Sequence, residues 1–297
     1  MDIESEYRHL EKGYESFLAE IQRTIESFLA DNNIPLAFNV SGRKKSLDSI
    51  TEKIETKRFV PEYSITELND LVGIRVVLLF SDSVKSVVDI LKNEFLVIQE
   101  SYENEQVDKF GYNSKHLVIQ IKPEWETAPS FRGHANKKIE IQIRTIAQHV
   151  WAATSHTLFY KREENTPKKI QRGFNRLSAL LEIVDESLQN YKNAVEEHNN
   201  YISTCPYDDI LKEDLYPATF MRVMVENSHG LYNLNEIENK ILSSQIEQDQ
   251  NILTTALLDD IINNKINLDG INTNDYINEV KKLISKYNED LRKSQSK

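Results

Sequence analysis

Apolar residues at Tyr7, Leu10, Tyr14, Phe17, Ile21, Ile25 and Phe28 follow one another at steps of three and four, the spacing of one helix face. The chain therefore opens with a long amphipathic helix, and Pro35 ends the turn after it. A short strand is expected over Leu36–Gly42, then a helix marked by Leu47, Ile50 and Ile54. From Asp70 to Phe80 the run DLVGIRVVLLF is almost continuously aliphatic, as in a central strand covered on both faces. Val84, Val87, Val88 and Leu91 mark a further helix. FLVIQES from Phe95 and KHLVIQIK from Lys115 supply strands around the loop Glu105–Ser114. The last strand alternates strictly, with Ile139, Ile141 and Ile143 on one side and Glu140, Gln142 and Arg144 on the other. From Thr145 the period lengthens, and His149, Ala153, His156 and Tyr160 form a helical stripe. About five strands interleaved with helices predict an α+β (α/β-like) unit with a mixed sheet over roughly the first 165 residues.

Beyond Pro167 the pattern is helical. Ile170, Phe174, Leu177, Leu181, Val184, Leu188, Tyr191 and Val195 keep a four-three rhythm, and a stripe of that length must lie against something. The N-terminal helix, with the same rhythm, is its natural partner. Residues 208–297 suggest several more helices. The Asp269-Gly270 pair there is not a calcium loop, because Lys265 and Tyr276 stand at its first and last ligand positions. The expected organisation is an N-terminal helix over 1–34, a central domain over 35–200 and a helical extension over 201–297.

The 297 residues include a single cysteine, Cys205, which excludes an internal disulfide and a cysteine-rich metal cage; a buried free thiol is expected. The longest apolar run is too short to cross a bilayer and no secretory signal is apparent, so a soluble, cytoplasmic protein without a membrane partner is expected. Net charge is −11, and residues 171–297, with 13 Lys and Arg against 21 Asp and Glu, carry −8 of it. Gly42–Arg58 is locally basic. One basic segment on an acidic chain suits a small polyphosphate better than a long nucleic acid, which wants a broad positive surface.

Three stretches, GRKKSLDSITEK, DLVGIR and EIQIRTIAQHVWAATSHTLFYK, with KFGYNSKH between the last two, resemble the RelA/SpoT-type alarmone synthetase domain over roughly residues 35–165. The resemblance implies a nucleotidyltransferase-like synthetase fold and transfer of pyrophosphate from ATP to the 3′-hydroxyl of GDP or GTP, with Mg2+ as cofactor. It makes Asp70 a magnesium ligand, while Glu140 either shares the metal or takes the proton from the attacking hydroxyl. Such chemistry needs a charge-neutralising metal and donors for the spreading negative charge, and magnesium takes one or two carboxylates. Arg43 and Arg75 match the arginines that sandwich adenine, a role suited to planar guanidinium groups. Lys45, Ser49 and Lys53, at four-residue steps, are expected to form one row on a helix facing the ATP phosphates. Tyr112 matches the residue on which the acceptor guanine stacks and His116 a histidine near the acceptor phosphates. Gln142 and His156 are expected on the same side. Asn113 stands where the family commonly has arginine or glutamine, which bears on acceptor identity.

No histidine is followed by aspartate, so the manganese hydrolase of bifunctional relatives is not expected. Two other readings stay open. A toxic relative would pyrophosphorylate the 3′ end of tRNA or an adenosine nucleotide, with Arg132, Lys137 and Lys138 as a positive approach patch. A non-catalytic nucleotide sensor would need only one of the two carboxylates. The helical tail is expected either to join copies of the chain or to restrain the active site.

Overall fold

The computed structural model describes residues 2–102, 114–158, 167–228, 254–266 and 271–295. They form two compact units, Met1–Lys192 and Asn193–Lys297, so the division falls within the long helix, short of the boundary expected at residue 200. Among the described residues no helix is long and apolar enough to cross a membrane.

The first unit is built on a five-stranded mixed sheet. Its strands are β1 (Ser41–Lys44), β2 (Val72–Leu78), β3 (Leu96–Tyr102), β4 (Lys115–Gln120) and β5 (Ile139–Thr145), in the order β1-β2-β5-β4-β3. Only the β2–β5 pair is parallel; the others are antiparallel. The first strand is displaced from the expected Leu36–Gly42, since Leu36 makes just an isolated bridge to Leu78 and the ladder starts at Ser41.

Period-two alternation divides the sheet into unlike faces. Ile74, Leu117, Ile139, Ile141 and Ile143 are at most 1% exposed on one face. Against it pack helix α1 (Ile3–Asp31), through Phe17, Ile21, Ile25 and Leu29, and helix α3 (Asp82–Glu94), through Val87, Val88 and Leu91. Gly42 makes the close approach of α1 to β1 feasible: a Cβ there would stand 2.8 Å from Gln22 Oε1 and 3.0 Å from Leu18 Cδ1. The short helix α2 (Leu47–Glu55), capped by Ser46, follows β1, and its Ile50 is fully buried in the same core.

After β5 come helix α4 (Ile146–Leu158) and helix α5 (Lys168–Thr204). The expected pairing of α5 with α1 is not what the structure shows. The apolar face of α1 is taken by the sheet, and on α5 Ile170, Val184, Tyr191 and Val195 are 45–73% exposed. Within the first unit α5 is tied instead by polar groups at its i, i+4 and i+7 positions. Thr145 Oγ1 donates to Asp185 at 2.6 Å, Gln189 Oε1 accepts from Ser81 Oγ and the Asp82 amide at 3.1 Å each, and Lys192 pairs with Asp82 at 2.5 Å. Trp151 adds an edge contact with Phe174, centroids 5.7 Å apart.

The second unit has its own core, made by α6 (Tyr207–Ile210), α7 (Pro217–Asn227), α8 (Thr255–Lys265) and α9 (Thr273–Gln295). Phe220, Val223, Leu258, Ile261, Tyr276 and Val280 fill it. Tyr207 donates to Asp259 at 2.5 Å and Asn227 donates to both, a closed polar network beside that core. Cys205 is buried and free.

Replacing Ile21, fully buried under α1, by alanine should lower the free energy of unfolding by about 2–5 kcal/mol. Leu180→Ala on the 59% exposed stretch of α5 should change it by less than ~0.5 kcal/mol. Urea denaturation of the two variants checks this, and similar losses would contradict the assigned burial.

Candidate active site

The second face of the sheet is polar. Because β2 and β5 run parallel in register, Glu140 lies beside Gly73, and Gln142 beside Arg75. On the other side of β5, Val118 lies opposite Glu140 and His116 opposite Gln142. One patch therefore carries Arg43, Arg75, Glu140, Gln142, Arg144 and His116.

Along β5 the polar side chains hydrogen-bond one another lengthwise. Arg144 Nη2 donates to Gln142 Oε1 at 2.8 Å, and Gln142 Nε2 donates to Glu140 Oε2 at 2.9 Å. His116 Nδ1 stands 3.1 Å from Glu140 Oε1, and its Nε2 3.3 Å from Ser114 Oγ. Burial pushes the Glu140 carboxyl up, but the hydrogen bond and charge of His116, joined by the Gln142 amide, outweigh it and hold the group below the usual glutamate range. Glu140 is thereby kept as a carboxylate with both oxygens oriented.

Asp70 precedes β2, at the same end of the sheet as Glu140. Its Oδ2 accepts from Lys45 Nζ at 2.5 Å and from Lys53 Nζ at 2.8 Å. Burial raises the Asp70 carboxyl and the two ammonium groups lower it further than that, whereas for Lys45 burial prevails and its ammonium is weakened. The carboxylate has two cations to set against its burial, while Lys45 has one anion and the nearby charge of Lys53 adds to its own desolvation. The negative charge of Asp70 also pushes on Glu140, as neighbouring carboxylates must. The expected row of Lys45, Ser49 and Lys53 on one helix is corrected. Lys45 lies ahead of the Ser46 cap, outside α2, and meets Lys53 at Asp70, while Ser49 is exposed and turned to Ser46, Oγ to Oγ 2.9 Å.

Arg43 and Arg75 flank a cleft of about 260 Å3 lined also by Ser41, Gly42, Gly73, Ile74 and Gln142. Arg43 lies along Gly73: a Cβ there would be in ordinary van der Waals contact with its Nε at 3.8 Å. Arg75 Nε is buried with no hydrogen-bond partner, and burial and the nearby Arg43 charge depress its basicity. Two like-charged planar groups beside an open cleft suit an anion or an aromatic face. A larger recess of about 680 Å3 lies in the second unit, lined by lysines and acidic residues from Asp275 to Glu289.

Several expected residues lie elsewhere. Tyr112 and Asn113 are outside the described residues, and so is the side chain of His156, whose backbone belongs to α4. The suggested pairing of Lys137 and Lys138 in one patch does not form, since both ammonium groups are engaged by different partners within the fold. Lys137 Nζ donates to Gly13 O and His134 Nδ1 at 2.9 Å each, and Lys138 Nζ donates to Glu67 O and Asn69 Oδ1 at 3.0 Å each. His149 borders the site more closely than its helix position suggests: it packs on Phe38 at 5.7 Å, and burial together with Arg144 and Arg75 keeps it neutral. From sequence alone Ser114 has no role beyond a loop position, and Lys138 falls only in an approach patch, not beside Glu140. Lys138 shares the two-residue period of Glu140, which was the available signal.

Residues 42–165 match the family model described as a region found in RelA / SpoT proteins. The chain is 28% identical over 201 residues to GTP pyrophosphokinase YjbM of Bacillus subtilis, covering 63% of this chain and 92% of that protein. A GTP pyrophosphokinase family protein from Streptococcus pneumoniae has a similar structure, with TM-score 0.56, 27% identity and coverage of 67% of this chain and 97% of that one. Small alarmone synthetase 1 of B. subtilis bound to its product pppGpp gives TM-score 0.54, 27% identity and coverage of 65% and 99%. The family match lies over β2, β4 and β5 and most of β1, the strands that bear the polar patch, so over residues 42–165 this chain is similar to the region found in RelA / SpoT proteins.

Proposed function

We propose that the chain transfers pyrophosphate from ATP to the 3′-hydroxyl of GDP or GTP, making (p)ppGpp. The observation that supports this most is the Gly73–Glu140 register, which sets Asp70 and Glu140 at one end of two adjacent parallel strands beside the arginine cleft. A nucleotide-binding module has no use for the second carboxylate; a transferase has.

In this reading Arg43 and Arg75 hold the adenine, and Lys45, Lys53 and Ser49 meet the ATP phosphates. Tyr112, Asn113, His116, Gln142 and His156 receive the acceptor. The 3′ oxygen attacks the β-phosphorus of ATP, the bond between that phosphorus and the α-bridging oxygen breaks, and AMP leaves. Glu140 takes the proton of the attacking hydroxyl, a role for which its orientation by His116 and Gln142 fits it. Lysine and arginine groups balance charge as it moves from the bridge onto AMP.

The donor set fits Mg2+: Asp70 and Glu140, at one end of two adjacent strands, offer hard oxygen ligands, and magnesium takes one or two carboxylates. Asp70, with Glu140 beside it, would hold the ion, which when bound supplies charge neutralisation across the triphosphate.

The tRNA reading loses support because Lys137 and Lys138 are engaged within the fold. We place the reaction in the cytoplasm, where its nucleotides are. The exposed apolar stripe of α5 is consistent with a role for the tail in joining copies of the chain.

Labelled ATP with Mg2+ and, separately, GDP, GTP, AMP and bulk tRNA tests the reading; label on GDP or GTP is expected, and label on tRNA alone would overturn it. Glu140→Gln should lower turnover by about 10²–10⁴-fold with ATP binding retained, while Asp70→Asn should also weaken Mg2+-dependent ATP binding. Equal effects of the two on binding would contradict the separate roles. Because the Glu140 carboxyl is held low, the proton-accepting form persists to acid pH and activity is lost only as pH falls through that depressed value. His116→Ala removes the principal group lowering it, so the acid limb of kcat at saturating acceptor should move to higher pH; an unmoved limb would remove Glu140 from the base role.

A further inference from the structure

We propose that Lys138 is a positioning residue: its ammonium ties the loop bearing Asp70 to the strand bearing Glu140 and so sets the spacing of the two carboxylates. The inference rests on the reading of Asp70 and Glu140 as the magnesium-binding pair.

Backbone pairing fixes Glu140 but stops short of Asp70. The β2–β5 register begins at Gly73 opposite Glu140, and Asp70 lies three residues upstream. The segment leading to it, Glu62–Asn69, contains the 3-10 turn Ile65–Glu67 and belongs to no ladder. Side chains hold it in place. Glu6 of α1 accepts from Ser64 Oγ at 2.5 Å and from the Ile65 amide at 3.1 Å. The Glu67 carboxylate gathers the amides of Glu62, Tyr63 and Ser64 at 2.8, 2.6 and 3.0 Å. These contacts fasten the segment to itself and to α1, and none of them reaches β5.

Lys138 supplies that link. It stands immediately before β5, two residues from Glu140 and on the same face by alternation. Its Nζ donates to Glu67 O and Asn69 Oδ1, both at 3.0 Å, thus gripping the residue next to Asp70. With its oxygen so engaged, the Asn69 amide presents Nδ2 to Gln99 Oε1 of β3 at 2.9 Å, which carries the tie across the sheet. A flexible four-carbon stem with a compact tripodal donor is suited to bridging two backbones. Magnesium demands near-octahedral geometry at 2.0–2.1 Å, so the separation of its carboxylates leaves little slack.

The test uses the full chain, Mn2+ as probe and a non-hydrolysable ATP analogue, with free Mn2+ read by electron paramagnetic resonance. Lys138→Met should weaken Mn2+ binding in the presence of the analogue about tenfold. It should leave the affinity for the analogue in EDTA within about twofold, and Lys138→Arg, whose guanidinium spans both oxygens, should recover most of the loss. Unchanged Mn2+ affinity in Lys138→Met would overturn the proposal. So would an equal loss of analogue binding in EDTA, which would make Lys138 a phosphate contact. If Lys138→Met does not fold, Asn69→Ala decides by the same two measurements, with a smaller loss expected because the Glu67 contact survives. A wild-type chain that takes up no Mn2+ with the analogue bound overturns the carboxylate pair itself, and this inference with it.

Discussion

The parallel pairing of β2 with β5 is the constraint on which the rest of the site depends. It is the one parallel pair in the sheet, and it brings the N-terminal ends of two strands together so that residues at their entry share a corner. Antiparallel neighbours would have put Asp70 and Glu140 at opposite ends of their strands. The same pairing sets Arg75 beside Gln142, and β1, running antiparallel to β2, carries Arg43 back to the same place. Holding the sheet in that register is the task of the isoleucine face and α1: a slip of one residue along β5 would exchange Ile141 for Gln142 in the core.

The polar face is held by charge and hydrogen bonding. Each carboxylate has its own set of donors, lysines at Asp70 and His116 with Gln142 at Glu140, and the chain Arg144–Gln142–Glu140 leaves the glutamine amide a single sensible orientation. In a partly buried setting such networks are stiff because an unpartnered member is costly. The Arg75 Nε is buried without a hydrogen-bond partner, and Arg75 borders the cleft.

Much of this was legible in the sequence. Strict alternation over Ile139–Arg144 identified both the strand and its two faces, and the aliphatic run over Asp70–Phe80 identified a strand with neighbours on both sides. Strand order was not legible, because period two tells which way a side chain faces but not what lies beside it. Lys45 was misread for a local reason: four-residue spacing implies a shared helix face only inside a helix, and the Ser46 cap begins the helix one residue too late. The partner of α5 was misjudged because two amphipathic stripes do not imply each other. The stripe of α1 matched a sheet face, and α5 is fastened by Asp185, Gln189 and Lys192, polar residues that hydrophobic periodicity ignores. Lys137 and Lys138 looked like a surface patch because like charges in sequence suggest like charges in space, yet each ammonium is taken by a different part of the fold, Gly13 and His134 for one, Glu67 and Asn69 for the other.

The two lysines on Asp70 have a thermodynamic consequence. With both ammonium groups on it the carboxylate is already neutralised, so a free divalent ion gains little by approaching it. In the proposed reaction a triphosphate would offer those ammonium groups another anion and would release Asp70 to a cation. Under the proposed function, nucleotide and ion then bind as linked ligands, each strengthening the other by the same factor. The protein would discriminate the metal–nucleotide complex from either component through counter-ion exchange at one oxygen atom.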